Sequence, residues 1–148
     1  MAKTAKRPGF ALIEVMIALV IVAITASYAL ASYRRHLLRS YRIEAVQALL
    51  AAAAEQEKFH LANGHYADRL DSGAGDDPPG LPVASRSLHR KFLLAIEFAD
   101  AAGFRIVATP LEGGGQDDDL DCRQISIDES GRRQAISASG GDATARCW

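Results

Sequence analysis

The chain has 148 residues and a net charge of −1 at neutral pH, so it has room for one domain with a modest core. That balance excludes a global electrostatic pull towards nucleic acid or other polyanions, and any function must lie in how the residues are arranged. The arrangement is uneven: the first third is apolar and Ala-rich, whereas the rest mixes Gly, Asp, Ser and Arg with short apolar runs, as an anchor followed by a folded head would.

The leader MAKTAKRPG carries Lys3, Lys6 and Arg7 and stops at Gly9. From Phe10 to Tyr33 there is one charge, Glu14, and the stretch from Val15 onward is as long as the roughly 20 residues that cross a bilayer. This predicts a membrane span. The competing reading is a secretory signal peptide cut near Ala29-Leu30-Ala31, but such signals have apolar cores of only about 7–15 residues. Counting charges does not orient the span, because Lys3, Lys6 and Arg7 on one side face Arg34, Arg35, Arg39 and Arg42 on the other. A leader this short is no domain, so a cytoplasmic N-terminus and an external head are expected. Glu14 is what a simple anchor leaves unexplained. An acid in the apolar part of a span costs about 2.5–3.5 kcal/mol on insertion scales, and such groups mark a partner or a pathway unless they snorkel to the interface.

The segment Gly9-Phe10-Ala11-Leu12-Ile13-Glu14-Val15 resembles the class III signal-peptide signature of type IV pilins and related pseudopilins. The resemblance implies cleavage between Gly9 and Phe10 by a prepilin peptidase, N-methylation of Phe10, and pairing of Glu14 with the N-terminal ammonium of a neighbouring subunit. The physics of that pairing is sound. The two charges lie about 6 Å apart along a helix axis, so a neighbour staggered by roughly one turn aligns them, and each costly charge neutralises the other.

Helical periodicity continues past the span, with Tyr41, Ala45, Ala48, Leu49, Ala52, Gln56 and Phe59 on one stripe and a stop at Asn63-Gly64. Counted from Phe10, such a helix is on the order of 80 Å long, too long for this head to bury, so half of it is expected in lipid and later in a filament core. Where many pilins carry a helix-weakening Gly and Pro, the aligned positions here are Ala23 and Ala31, so this stretch is expected to melt less readily.

Residues 64–87 are rich in Gly, Pro and Asp without a period and read as a surface connecting loop. Lys91 to Phe98 alternates, with Phe92, Leu94, Ile96 and Phe98 assigned to the inner face. Phe104, Ile106 and Ala108 repeat the pattern after Asp100-Ala101-Ala102-Gly103, and Pro110 ends that strand. A third strand is expected over Arg123 to Asp128 and a weaker fourth around Gln134 to Ser137, after the turn Glu129-Ser130-Gly131. Cys122 and Cys147 fit one disulfide in an oxidising compartment or two inert core thiols in a reducing one. A bond between them closes the terminal hairpin. The resemblance bears on this choice, since a terminal disulfide-bounded region is typical of type IV pilins and the ending Ala145-Arg146-Cys147-Trp148 is similar to that of PilE-type minor pilins.

No enzyme motif is present. Gly113-Gly114-Gly115 lacks the Lys and Ser/Thr of a phosphate loop, and His36, His60, His65 and His89 have no ligand-like spacing. Asp117, Asp118, Asp119 and Asp121 read as a solvated acidic loop rather than a calcium site. The basic run Arg86, His89, Arg90 and Lys91 lacks interleaved aromatics, so DNA is not expected as a partner. The chain therefore reads as an α+β protein of the type IV pilin fold, with a long N-terminal helix on a four-stranded antiparallel sheet. Its expected parts are a leader (1–9), a transmembrane half-helix (10–33) and an external head (34–148), the head comprising an amphipathic helix (34–63), a loop (64–87) and a sheet with its disulfide-bounded region (88–148). The expected role is that of a minor pilin, without catalysis, metal or cofactor, that supports fibre assembly and so adhesion, twitching or DNA uptake. Its expected partners are other pilin subunits, the prepilin peptidase, the assembly machinery and, before assembly, the inner membrane. Later it lies in the extracellular pilus. The alternatives are a type II secretion pseudopilin, a DNA-binding competence pilin, which needs a contiguous basic strip on the head, and a tethered periplasmic enzyme, which needs a polar pocket.

Overall fold

The computed structural model describes residues 12–73 and 75–148. One helix, α1, runs from Leu12 to Asn63, and four strands follow: β1 (Phe92–Ala99), β2 (Phe104–Pro110), β3 (Gln124–Asp128) and β4 (Arg133–Ile136). A one-turn helix, α2 (Thr144–Cys147), precedes the C-terminal residue. The chain divides into two compact units between Leu37 and Leu38.

In the first unit α1 is exposed from residue 12 through residue 36, and it is predominantly apolar up to Tyr33 apart from Glu14. Two of its hydroxyls bond within the helix: Thr25 Oγ1 donates to the Ile21 and Val22 carbonyls at 2.9 and 3.0 Å, and Ser27 Oγ donates to the Ala23 carbonyl at 2.8 Å. Such back-bonding lets a hydroxyl be satisfied by its own helix rather than by a partner.

In the second unit the strands form an antiparallel meander in the order β1-β2-β3-β4. Its core combines Ala45, Leu49 and Ala52 of α1 with Phe92, Leu94, Phe104, Ile106, Ile125 and Ile127 of the sheet. The small alanines bring the helix close to the aromatic and branched residues, so the packed layer is thin yet dry. This is the expected α+β architecture.

Two details depart from expectation. The β1–β2 register shifts between Ile96 and Phe98, and this bulge leaves Phe98 45% exposed rather than inward. The connecting loop also does more than cover a surface: Tyr66, Ala67, Leu81 and Ser87 are buried. Gln56, fully buried, holds this loop as a strand neighbour would, its amide donating to the Ala67 carbonyl and accepting from the Ala67 N–H, both at 2.8 Å. Gly64, at φ 75°, takes the left-handed position that ends α1, and its N–H bonds the His60 carbonyl at 2.8 Å.

Candidate functional sites

Glu14 lies in the first turn of α1 as described, among exposed apolar residues. It is the acidic group of a long apolar surface, and no described side chain pairs with it. Gly9 and Phe10, the expected cleavage and methylation positions, lie outside the described residues.

At the far end of the chain, Cys122 and Cys147 are joined by a disulfide spanning 25 residues of sequence. The bond ties the start of β3 to α2, and the tail then seals the free edge of the sheet. The Ala143 N–H donates to the Ala135 carbonyl at 2.9 Å, the Ala135 N–H donates to Thr144 Oγ1 at 3.0 Å, and the Trp148 indole N–H reaches the Gln134 carbonyl at 2.9 Å. An open edge strand would otherwise invite pairing with a foreign chain.

The acidic loop faces arginine. Arg42 grips Asp119 through two bonds, Nε to Oδ2 at 2.6 Å and a terminal nitrogen to Oδ1 at 2.5 Å, and Asp119 is almost fully buried. Gln116 adds a donor to Asp119 at 2.8 Å, and Asp121 lies 3.3 Å from Arg146 and 3.5 Å from Arg42. The hydrogen-bonded Asp119 carboxylate raises the pKa of the Arg42 guanidinium, with burial opposing. These carboxylates are neutralised by arginine, and their role is to hold the loop before β3 against α1.

Half of the basic run is likewise spent on internal contacts. Lys91 Nζ donates to the Gly114 carbonyl at 2.6 Å and stands 5.3 Å over the Tyr41 ring, while His89 Nδ1 lies 2.7 Å from Glu44. A polar groove lies elsewhere, on the sheet face opposite α1. It has a volume of about 600 Å³ and is bordered by Arg105, Arg132 and Arg133. Sequence reading missed it because these arginines come from different strands and a turn. The usable signal was Arg132-Arg133 directly after Gly131.

Residues 31–126 match the family model described as type IV minor pilin ComP, DNA uptake sequence receptor. Residues 4–30 match the prokaryotic N-terminal methylation motif. No curated protein gives a significant match. Among solved structures, a type IV pilin from Shewanella oneidensis is similar at 24% identity and a TM-score of 0.42, over 75% of this chain and 97% of that one. The methylation motif and the exposed apolar helix fit a pilin that is membrane-anchored and then incorporated into a pilus. With more than half of its length matched by that model, the chain belongs to the ComP family of type IV minor pilins.

Proposed function

We propose that this minor pilin binds duplex DNA for uptake while built into a type IV pilus. The observation that carries the reading is the match of residues 31–126 to a family described as DNA uptake sequence receptors. The arginine-bordered groove adds physical support, because arginine forks suit phosphate. The sequence reading set DNA aside on the near-neutral overall charge and on an Arg86 to Lys91 run without interleaved aromatics, and half of that run serves the fold.

Entry into the fibre rests on the N-terminal segment. In this reading residues 1–9 are a leader removed between Gly9 and Phe10, and Phe10 is then methylated. Glu14 meets the new ammonium of a neighbouring subunit, residues 10–33 span the inner membrane before assembly, and residues 34–148 form the external head. The role is structural and binding, with no catalysis.

Cells lacking this chain test the proposal. They are expected to keep pili and twitching while capture of labelled duplex DNA and transformation drop by at least about tenfold, the scale on which one lost receptor step reads. Loss of piliation with DNA capture unchanged per remaining fibre would instead mark the chain as an assembly subunit.

A further inference from the structure

The groove on the solvent face of the sheet is constructed from cross-strand rows. Val107, Ser126 and Gln134 align across β2, β3 and β4, and Gln124 lies opposite Ile136 in the next row. Ser126, Gln134 and Gln124 line the groove together with Ala135 and Ile136, so its floor offers hydroxyl and amide groups beside apolar ones.

Its two flanks carry arginines set against aromatic rings. The Arg105 guanidinium lies 5.9 Å from the Phe98 ring centre, and Phe98 is its cross-strand partner. The Arg133 guanidinium lies 5.3 Å from the Trp148 ring. The bulge in β1 and the sealed tail thus have a second consequence, since they present Phe98 and Trp148 as platforms. An arginine over a ring has its plane restrained while its in-plane N–H groups remain free to donate. Arg132, 69% exposed in its side chain, sits at the end of the groove. Carboxylates share the site, since Glu97 and Asp142 also line the groove. Arg105 lies 3.7 Å from Glu97 and Arg132 lies 4.0 Å from Asp128, ion pairs too long for good charge-assisted hydrogen bonds, so N–H groups stay available while part of the charge is offset. Strands β2 and β4 are two spacings apart, about 10 Å. That is close to three nucleotide steps of about 3.4 Å along one DNA strand.

We propose that this groove is the DNA-contacting surface of the head, with Arg105, Arg132 and Arg133 on phosphates and Gln124, Ser126 and Gln134 facing the sugar and base edges. The inference rests on the DNA-binding reading above and assigns it a place. It excludes the Arg86 to Lys91 run as the main contact.

The test measures binding of a short labelled DNA duplex to the full chain in detergent across a salt series. The variants are R105Q/R132Q/R133Q, the charge-keeping R105K/R132K/R133K, and the control R86Q/R90Q. The glutamine triple is expected to lose at least about tenfold in affinity and to flatten the slope of log K against log salt by about 2 to 3, as loss of three phosphate contacts requires. The lysine triple is expected to keep the slope but bind a few-fold less tightly, because charge remains while the forks are gone. A misfolded head would not give that split. The control is expected to stay within about twofold of the unaltered chain, less than one phosphate contact is worth. If the unaltered chain binds duplex and the glutamine triple binds equally well with the same slope, the groove assignment is overturned while DNA binding stands. If the unaltered chain binds no duplex even at low salt, the DNA reading fails and takes the groove with it. Equal or tighter binding of an acidic polysaccharide, displacing the duplex, would overturn nucleic acid as the occupant.

Discussion

Within α1, Leu12, Ile13, Met16, Leu19 and Val22 are exposed, whereas Ala45, Leu49, Ala52 and Gln56 of the same helix are buried against the sheet and its loop. The difference lies in who supplies the partner. Large apolar side chains in the first stretch find no neighbour in their own chain, so their burial must come from lipid and then from other subunits. Small side chains in the second stretch let the chain's own strands come close enough to exclude water. One stretch is therefore written for assembly and the other for folding, and substitutions in the two should move different observables.

The largest expected effect on the head is at Phe104, which is 1% exposed and has its ring centre 4.9 Å from that of Tyr66. Phe104→Ala should cost about 3–5 kcal/mol in a denaturation curve, the range for removing a buried aromatic. Next comes the disulfide. Paired Cys122→Ser and Cys147→Ser changes release a loop of 25 residues and should cost about 3–4 kcal/mol by the chain-entropy estimate. Both losses should appear as a lowered Tm of the head. If either left the Tm unchanged, the division of labour drawn above would be wrong.

A smaller effect is expected from acid. Hydrogen bonds from the Ala102 and Gly103 N–H groups lower the pKa of Asp100, and the Thr144 hydroxyl and N–H do the same for Asp142. Asp71 is lowered by Ser85. A carboxyl whose folded-state pKa is depressed takes up its proton in the unfolded chain first, so its contribution is present above the ordinary carboxylate range of about 4 and is lost as pH falls through the folded value. The Tm should hold from near neutrality down to about pH 4 and fall below it, and Asp100→Asn should shallow that fall. The smallest effect on stability is expected at Glu14. Glu14→Ala should leave the head's unfolding free energy within about 0.5 kcal/mol of unchanged, as for an exposed surface site, yet remove the chain from sheared fibres.

The parts of the fold governed by local periodicity were legible in the sequence. The stripe from Tyr41 to Phe59, the alternation in β1 and β2, and the turn at Glu129-Ser130-Gly131 each follow from residue spacing, and all four expected strands are present. What escaped depends on contacts remote in sequence. The bulge that turns Phe98 outward is set by the partner strand β2, and alternation alone placed Phe98 inside. Arg42 and Asp119 are 77 residues apart, so nothing in either neighbourhood announces their pairing. The groove arginines are separated in the same way: Arg105 reads as an exposed strand residue and Arg133 as a turn residue until the tail brings Trp148 beside it. The N-terminal motif is contiguous in sequence, and residues 4–30 match the prokaryotic N-terminal methylation motif, whereas the roles assigned to Gly9, Phe10 and Glu14 are part of the proposal.

Mass spectrometry of sheared pili, without reduction, bears on this two-part account most directly. The account expects a peptide beginning at methylated Phe10 together with a linked Cys122–Cys147 pair, both in the sheared fraction. A chain found only in membranes and still carrying Met1 to Gly9 would contradict it, because the exposed apolar helix would then have no fibre to bury it.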